Sequence, residues 1–179
     1  PARSARAAVA ADTSFMAEGV HELERLTARQ LQQLIDAGMS TAVLPFGSVE
    51  YHGGHLPLGA DTILADFVGA QVARRLGGVL APTVRVGCSG QHRHYLGTLT
   101  LRPETLTTLA AEQARALARH WFALIVLLSA HGGNQLALDA AVAELNASLP
   151  GAVVCAPRGS LTPTPTAFPT TRSSGRAPK

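Results

Sequence analysis

TAVLPFGSVEYHGGHLPLGAD, residues 41–61, changes character in its middle. Residues 41–46 are an apolar run of strand length. From Gly47 onward the stretch is a glycine-rich loop that carries two carboxylates and two histidines: Glu50, His52, His55 and Asp61. A buried strand that runs into a loop of metal-ligating side chains is what an open α/β sheet needs, because such sheets bind ligands outside the carboxyl ends of their strands.

The flanking sequence supports that reading. Asp61 opens a helix expected to run to about Leu76, with Gly77-Gly78 as its stop. Residues 79–86 read as a second strand, made irregular or edge-like by Pro82. A long polar loop follows over 87–97, then a short strand over 98–101. Pro103 suits the first turn of a helix that carries Leu106, Leu109, Ala110, Ala114 and Leu117 on one stripe. Residues 123–128 are unbroken apolar sequence, expected as a central parallel strand buried on both faces. A loop over 129–134, a helix over 135–149 and a strand from Ala152 complete the series. Upstream, Thr27 and Gln30 have the capping-box spacing, Leu31, Leu34 and Ile35 form a helical stripe, and Gly38 ends it. No internal repeat is present. The alternation predicts an α/β domain with a mostly parallel sheet. Loops 47–61 and 129–134 both follow strand carboxyl ends and are expected to converge there.

The chain has 179 residues, 46% of them hydrophobic, enough for one globular domain with a real core. No apolar run is long enough to span a bilayer, and Arg3 and Arg6 are not followed by a signal-peptide apolar region, so a cytoplasmic location without membrane contact is expected. The chain does not begin with Met, consistent with a processed or partial chain. Its net charge of +3 sits on the ends. Residues 157–179 hold four basic side chains and no acid, whereas 16–155 hold nine basic against eleven acidic. A nucleic-acid binder should carry its basic charge on the folded body, so that class is set aside. Cys88 and Cys155 lack CxxC spacing and read as two reduced thiols. The expected organisation is a flexible segment over 1–15, the α/β domain over 16–156, and a disordered Pro/Thr/Ser/Arg-rich tail over 157–179.

On an extended segment Glu50 and His52 point the same way and can face one ion. Asp61 returns after a loop containing Gly53, Gly54, Pro57 and Gly59, and His131 comes from the second loop. Carboxylate oxygen with imidazole nitrogen suits zinc, manganese or iron. A carboxylate bridging two ions begins a two-metal site able to polarise a carbonyl. Taken singly, each residue also has a plainer reading: Asp61 as a helix cap, His131 as a satisfied buried histidine, Glu50 as a solvated acid. His55 reads either as a partner behind a ligand or as simply exposed. The turn His131-Gly132-Gly133-Asn134 is too short for a dinucleotide or phosphate-binding loop.

Three motifs resemble the creatininase family, the creatinine amidohydrolases. Residues 47–61 fit its G-S-x-E-x-H-G-x-H-L-P-L-x-x-D motif throughout. SAHGGN, 129–134, is similar to N-G-H-G-G-N. GCSGQHRHYLGT, 87–98, is similar to G-x-S-x-x-H-x-x-F-P-G-T, with Tyr95-Leu96 in place of Phe-Pro. The resemblance covers about 40–155. It implies a three-layer α/β/α sandwich, often a hexamer, with two divalent ions. Glu50 and His131 would bind one ion, His52 the other, and Asp61 would bridge them. A hydroxide held between the ions would attack a carbonyl carbon and a C–N bond would break. His55, Ser89, His92, Gly132 and Asn134 would contact substrate or support the ligands, although Ser89 and His92 also read as plain polar loop residues. Members cleave small amides such as creatinine and formamides, and one branch trims a modified peptide in mycofactocin maturation. The string GCSGQH leans towards that branch, and Gly133, where creatininase proper has Glu, argues against creatinine.

The family's later H-A-G-x-x-E-T-S motif, source of the last metal carboxylate, has no match in this chain. The family domain is therefore expected to be truncated at its C-terminus, and the alternative to an enzyme is a catalytically inactive creatininase-like chain. With GC-rich codons assumed, residues 161–166 read in a shifted frame give Asp-Ala-Asp-Ala-His, close to the start of that motif. The tail is accordingly read either as a linker or mucin-like segment or as an out-of-frame one.

Overall fold

The computed structural model describes residues 19–157. The expected flexible segment 1–15, and the tail beyond residue 157 with its out-of-frame reading, lie outside the described residues. In chain order the elements are β1 (His21–Glu22), α1 (Ala28–Asp36), β2 (Thr41–Phe46), α2 (Ala60–Leu76), β3 (Val79–Leu80), α3 (Pro103–Arg119), β4 (Leu124–Ser129), α4 (Gln135–Ser148) and β5 (Val153–Cys155). The five strands form one sheet in the order β1-β3-β2-β4-β5, every neighbouring pair parallel.

Residues of β2 alternate between two apolar layers. Ala42, Leu44 and Phe46 pack with Leu106, Ala110 and Ala114 of α3 and with Leu138, Ala141 and Leu145 of α4. Val43 packs on the opposite face with Ala73 of α2 and Val126 of β4. The sheet is thus covered on both sides, which is the expected three-layer α/β/α sandwich. Each fully buried Leu contributes about 1.5–3 kcal/mol by leaving water. The expected capping box forms at α1: Gln30 N–H donates to Thr27 Oγ1 and Thr27 N–H to Gln30 Oε1. Pro103 occupies the first turn of α3, and both cysteines are free. Among the described residues no helix is long and apolar enough to cross a membrane.

The strand expected over 79–86 is interrupted after Leu80. Ala81 N–H still donates to Val43 O, but the chain bows out at Pro82-Thr83 and rejoins when Val84 N–H donates to Pro45 O. Pro45 lies in a central strand, where a missing N–H normally costs a ladder bond. Here that N–H would point to the side on which the neighbouring chain has bowed away. Residues 98–101 are extended but form no strand. They strap the two loops instead: Leu99 N–H donates to Val49 O and Leu101 N–H to Gly87 O. The edge strand β1 has only two residues and carries no periodic signal in the sequence.

Helix α2 sits close to the sheet because Gly69 faces Pro45; a Cβ there would lie 2.7 Å from Pro45 Cγ. Alanine inside a helix is worth about 1 kcal/mol over glycine. The rigid proline ring should reverse that gain, since overpacking costs about 1–3 kcal/mol. Gly69→Ala is expected to lower the denaturation midpoint, and a raised midpoint would contradict this close packing.

Candidate metal centre

Strands β2 and β4 pair in register over six residues, from Thr41 opposite Leu124 to Phe46 opposite Ser129. The loops that follow therefore leave the sheet side by side. The chain goes from β2 to β3 on one side and then to β4 on the other, so this is also where the strand order reverses, the usual ligand crevice of an open α/β sheet.

The two loops bring Glu50, His52, Asp61 and His131 together. Glu50, Asp61 and His131 each offer a ligand atom, and these atoms lie within 4.8 Å of one another. His131 Nδ1 is 2.8 Å from Asp61 Oδ2 and 3.5 Å from Glu50 Oε1. His52 Nε2 is 3.2 Å from Asp61 Oδ1 and 3.8 Å from Glu50 Oε1. Asp61 thus turns one oxygen to each imidazole. Glu50 and His131 are buried, 5% and 6% exposed.

The plainer single-residue readings can now be compared with the geometry. Asp61 does not cap α2: the cap position is Gly59, with no side-chain cap bond, and Asp61 lies in the first turn. Its Oδ2 accepts a hydrogen bond from Ser48 at 2.8 Å. Glu50 is buried rather than solvated, and its Oε2 has no hydrogen-bond partner. His131 is buried, but only one ring nitrogen is satisfied by a carbonyl.

Each imidazole is oriented by a backbone carbonyl. His131 Nε2 lies 3.1 Å from Cys88 O, and His52 Nδ1 lies 3.0 Å from Glu50 O. A carbonyl only accepts, so those nitrogens carry the protons. In the neutral ring the other nitrogen then presents a lone pair to the carboxylates. Lone pairs this close repel unless a proton or a metal cation lies between them. For His52, burial pulls the pKa down, but the Glu50 carbonyl and the Asp61 and Glu50 carboxylates outweigh it and raise the value above 6.5. Two imidazoles, two carboxylates and an unpartnered buried oxygen fit a divalent cation. The carbonyl bonds match the outer hydrogen bonds that orient metal-bound histidines.

The remaining candidates fall into two groups. Ser89 is fully buried, with Oγ 3.5 Å from His131 Nε2 and its N–H donated to Thr100 Oγ1. Asn134 is fully buried and hydrogen-bonded to both neighbouring loops. Gly132 begins a 3-10 turn that leads into α4. His55 is exposed, and its ring lies beside Gly53. His92 has a buried Nδ1 with no partner, and its ring lies 5.9 Å from that of Tyr95, which stacks on Tyr51 at 4.7 Å.

Three supporting residues were not singled out from the sequence. Ser48 holds Asp61, and Thr62 donates to Ser48 O at 2.8 Å and to Arg85 O at 3.1 Å. Ser129 donates to His131 O at 2.8 Å and accepts from its N–H at 3.1 Å. The available signal is position: Ser48 is two residues before Glu50, and Ser129 two before His131.

Comparison with known proteins gives the family. The family model for creatininase, described as creatinine amidohydrolase, matches residues 24–176. A mycofactocin precursor peptide peptidase of Mycobacterium ulcerans is 40% identical over 114 residues, 59% of this chain and 45% of that protein. The creatinine amidohydrolase of Pseudomonas putida is 32% identical over 129 residues, 67% of this chain and 50% of that protein. A solved structure of creatininase in a form named for Mn superposes with a TM-score of 0.68 at 30% identity, covering 77% of this chain and 58% of that one. The chain spans about half the length of the curated relatives it matches. With strand-end loops, sheet order and sequence in agreement, the chain belongs to the creatininase family.

Proposed function

We propose that the chain carries the metal-binding half of an amidohydrolase that cleaves a C–N amide bond. The observation that carries this reading is the shared carboxylate: two imidazoles, each tied to a backbone carbonyl, turn their free nitrogens to opposite oxygens of Asp61. Glu50, Asp61 and His131 would hold one cation, and His52 with Asp61 would begin a second site. A divalent cation held there supplies Lewis acidity towards a carbonyl oxygen and towards water. The chain's own residues do the rest. Ser48 holds Asp61 in place, Cys88 O keeps the His131 proton on Nε2, and burial of Glu50 strengthens the field at the site. The solved creatininase with Mn supports a divalent cation here.

A peptide-trimming reaction is the second reading, ahead of creatinine as substrate. Four mycofactocin precursor peptide peptidases are 37–40% identical to this chain, against 32% for the creatinine amidohydrolase. Gly133 cannot take a side chain without rearrangement, because a Cβ would lie 2.2 Å from Cys88 O. The glutamate that the family's creatinine-cleaving members carry at this position therefore has no room here.

The 179-residue chain, assayed with added Mn²⁺ or Zn²⁺, should release amine from small amides or cleave a bond of a modified peptide. Asp61→Asn should lower that rate by more than the roughly 10–100-fold typical for loss of an outer partner. A parent chain that is folded and metal-loaded yet inactive on both substrate classes would leave a non-catalytic role. Elemental analysis after dialysis should find about one divalent ion per chain, lost in Glu50→Gln and His131→Ala and kept in His52→Ala.

The pH dependence should have opposite signs with and without metal. A raised His52 pKa means the folded chain binds that proton more tightly than the unfolded chain. The stabilisation is fully present below about 6.5, the ordinary value, and is lost as pH rises through the folded value. A cation on the neighbouring Asp61 and Glu50 carboxylates disfavours a proton on the same nitrogen, so the Zn²⁺-induced rise in melting temperature should grow over that range. Melting curves between mildly acid and mildly alkaline pH, with and without Zn²⁺, measure both slopes. Parallel slopes would count against a cation bound beside His52.

A further inference from the structure

The geometry points to Asn134 as the positioning residue of the metal centre, setting through one side-chain amide how far apart the ligand-bearing loops stand. The inference rests on the metal reading above. Asn134 is fully buried, and all of its partners belong to three separate loops. Its Oδ1 accepts from Cys88 N–H at 2.8 Å. Its Nδ2 donates to Gly47 O at 3.0 Å and to Ser129 Oγ at 3.3 Å. The orientation of the amide is unambiguous, since Cys88 N can only donate and Gly47 O can only accept.

Each partner stands one step from a ligand. Gly47 precedes Ser48, whose hydroxyl holds Asp61, and lies three residues before Glu50. Cys88 supplies the carbonyl that fixes the tautomer of His131. Ser129 Oγ donates to the carbonyl of His131 and accepts from its N–H. The loops are pressed to backbone contact around this amide. A Cβ on Gly87 would lie 2.2 Å from Asn134 Oδ1 and 2.7 Å from Gly47 O. A Cβ on Gly133 would lie 2.5 Å from His131 Nε2. No other described side chain is recorded bonding all three loops. Removing it would let loops 47–61, 87–89 and 129–134 separate while the sheet beneath them stays paired.

The test separates placement of ligands from general stability. Zn²⁺ affinity is measured by chelator competition on the 179-residue chain, and coordination by the visible spectrum of the Co²⁺-loaded chain. Asn134→Ala is compared with Leu145→Ala, a core truncation about 16 Å further along α4 by helix rise. Asn134→Ala should lose about 10–100-fold in Zn²⁺ affinity and change the Co²⁺ spectrum. Leu145→Ala should lower the melting temperature and leave both unchanged. Should Asn134→Ala fail to fold, Asn134→Ser and Gly87→Ala, which crowds the amide from the opposite side, carry the same comparison. Parent-like affinity and spectrum in the Asn134 or Gly87 variants, or a loss no larger than in Leu145→Ala, would overturn the positioning role. A folded parent chain that binds no Zn²⁺ would overturn the metal reading and this inference with it.

Discussion

The site depends on the parallel pairing of β2 with β4. Six residues in register bring Phe46 level with Ser129, so the two ligand loops begin at the same height on adjacent strands. A slip of one residue would turn Val43 towards α3 and α4 and move Ala42, Leu44 and Phe46 to the α2 side. It would also offset Glu50 from His131 by one strand step, about 3.3 Å, more than the 2.8 Å that separates His131 from Asp61. The apolar core therefore fixes the geometry of the polar site. Both faces of β2 are buried, so neither face can change without breaking the other.

Above the sheet, the constraint becomes electrostatic. Two carboxylates lie beside two imidazoles whose protons are already committed to carbonyls. Removing such a set from water costs several kcal/mol per charge unless each charge is matched. Protons on the imidazoles match part of it, but Glu50 Oε2 stays unpartnered. A divalent cation can use that oxygen as well as the ring nitrogens, which is why the arrangement suits metal better than a closed ion-pair network. Cys88 contributes its carbonyl rather than its sulfur. Burial, with the Glu104 carboxylate, pushes its thiol pKa up and keeps it protonated.

Much of this was legible in the sequence, for identifiable reasons. The unbroken apolar run ending at Leu128 and the run ending at Phe46 read correctly as buried parallel strands, because both faces of each are covered. The meeting of Glu50, His52 and Asp61 with His131 was also legible, because both loops follow strand carboxyl ends that the sequence marks. What could not be read was set by partners distant in the chain. The bow at Pro82-Thr83 depends on Pro45 next to it in the sheet. The extended strap at 98–101 looked like a strand because its alternation is real, but its hydrogen bonds go to loops. Edge strand β1 exists because β3 offers it an open ladder, not because two residues carry a pattern. Asn134 was noticed as part of a motif, yet its role lies in contacts 46 and 87 residues away along the chain.

The turn that holds His131 also limits what the site can contain. Its second glycine lies against Cys88 O and His131 Nε2, so any side chain at Gly133 would push into the hydrogen bond that fixes the His131 tautomer. The orientation of His131 and the bare backbone at Gly133 thus share one steric cause. Among the described residues, His52 finds carboxylates only in Asp61 at 3.2 Å and Glu50 at 3.8 Å, both already turned to His131. On the metal reading proposed above, a further carboxylate for the His52 side would come from outside this turn. The Glu50–Asp61–His131 side needs no such addition, because its three ligand atoms are already within reach of one ion. Local sequence alone therefore brings Glu50, Asp61 and His131 within reach of one ion, while His52 shares its two carboxylates with His131.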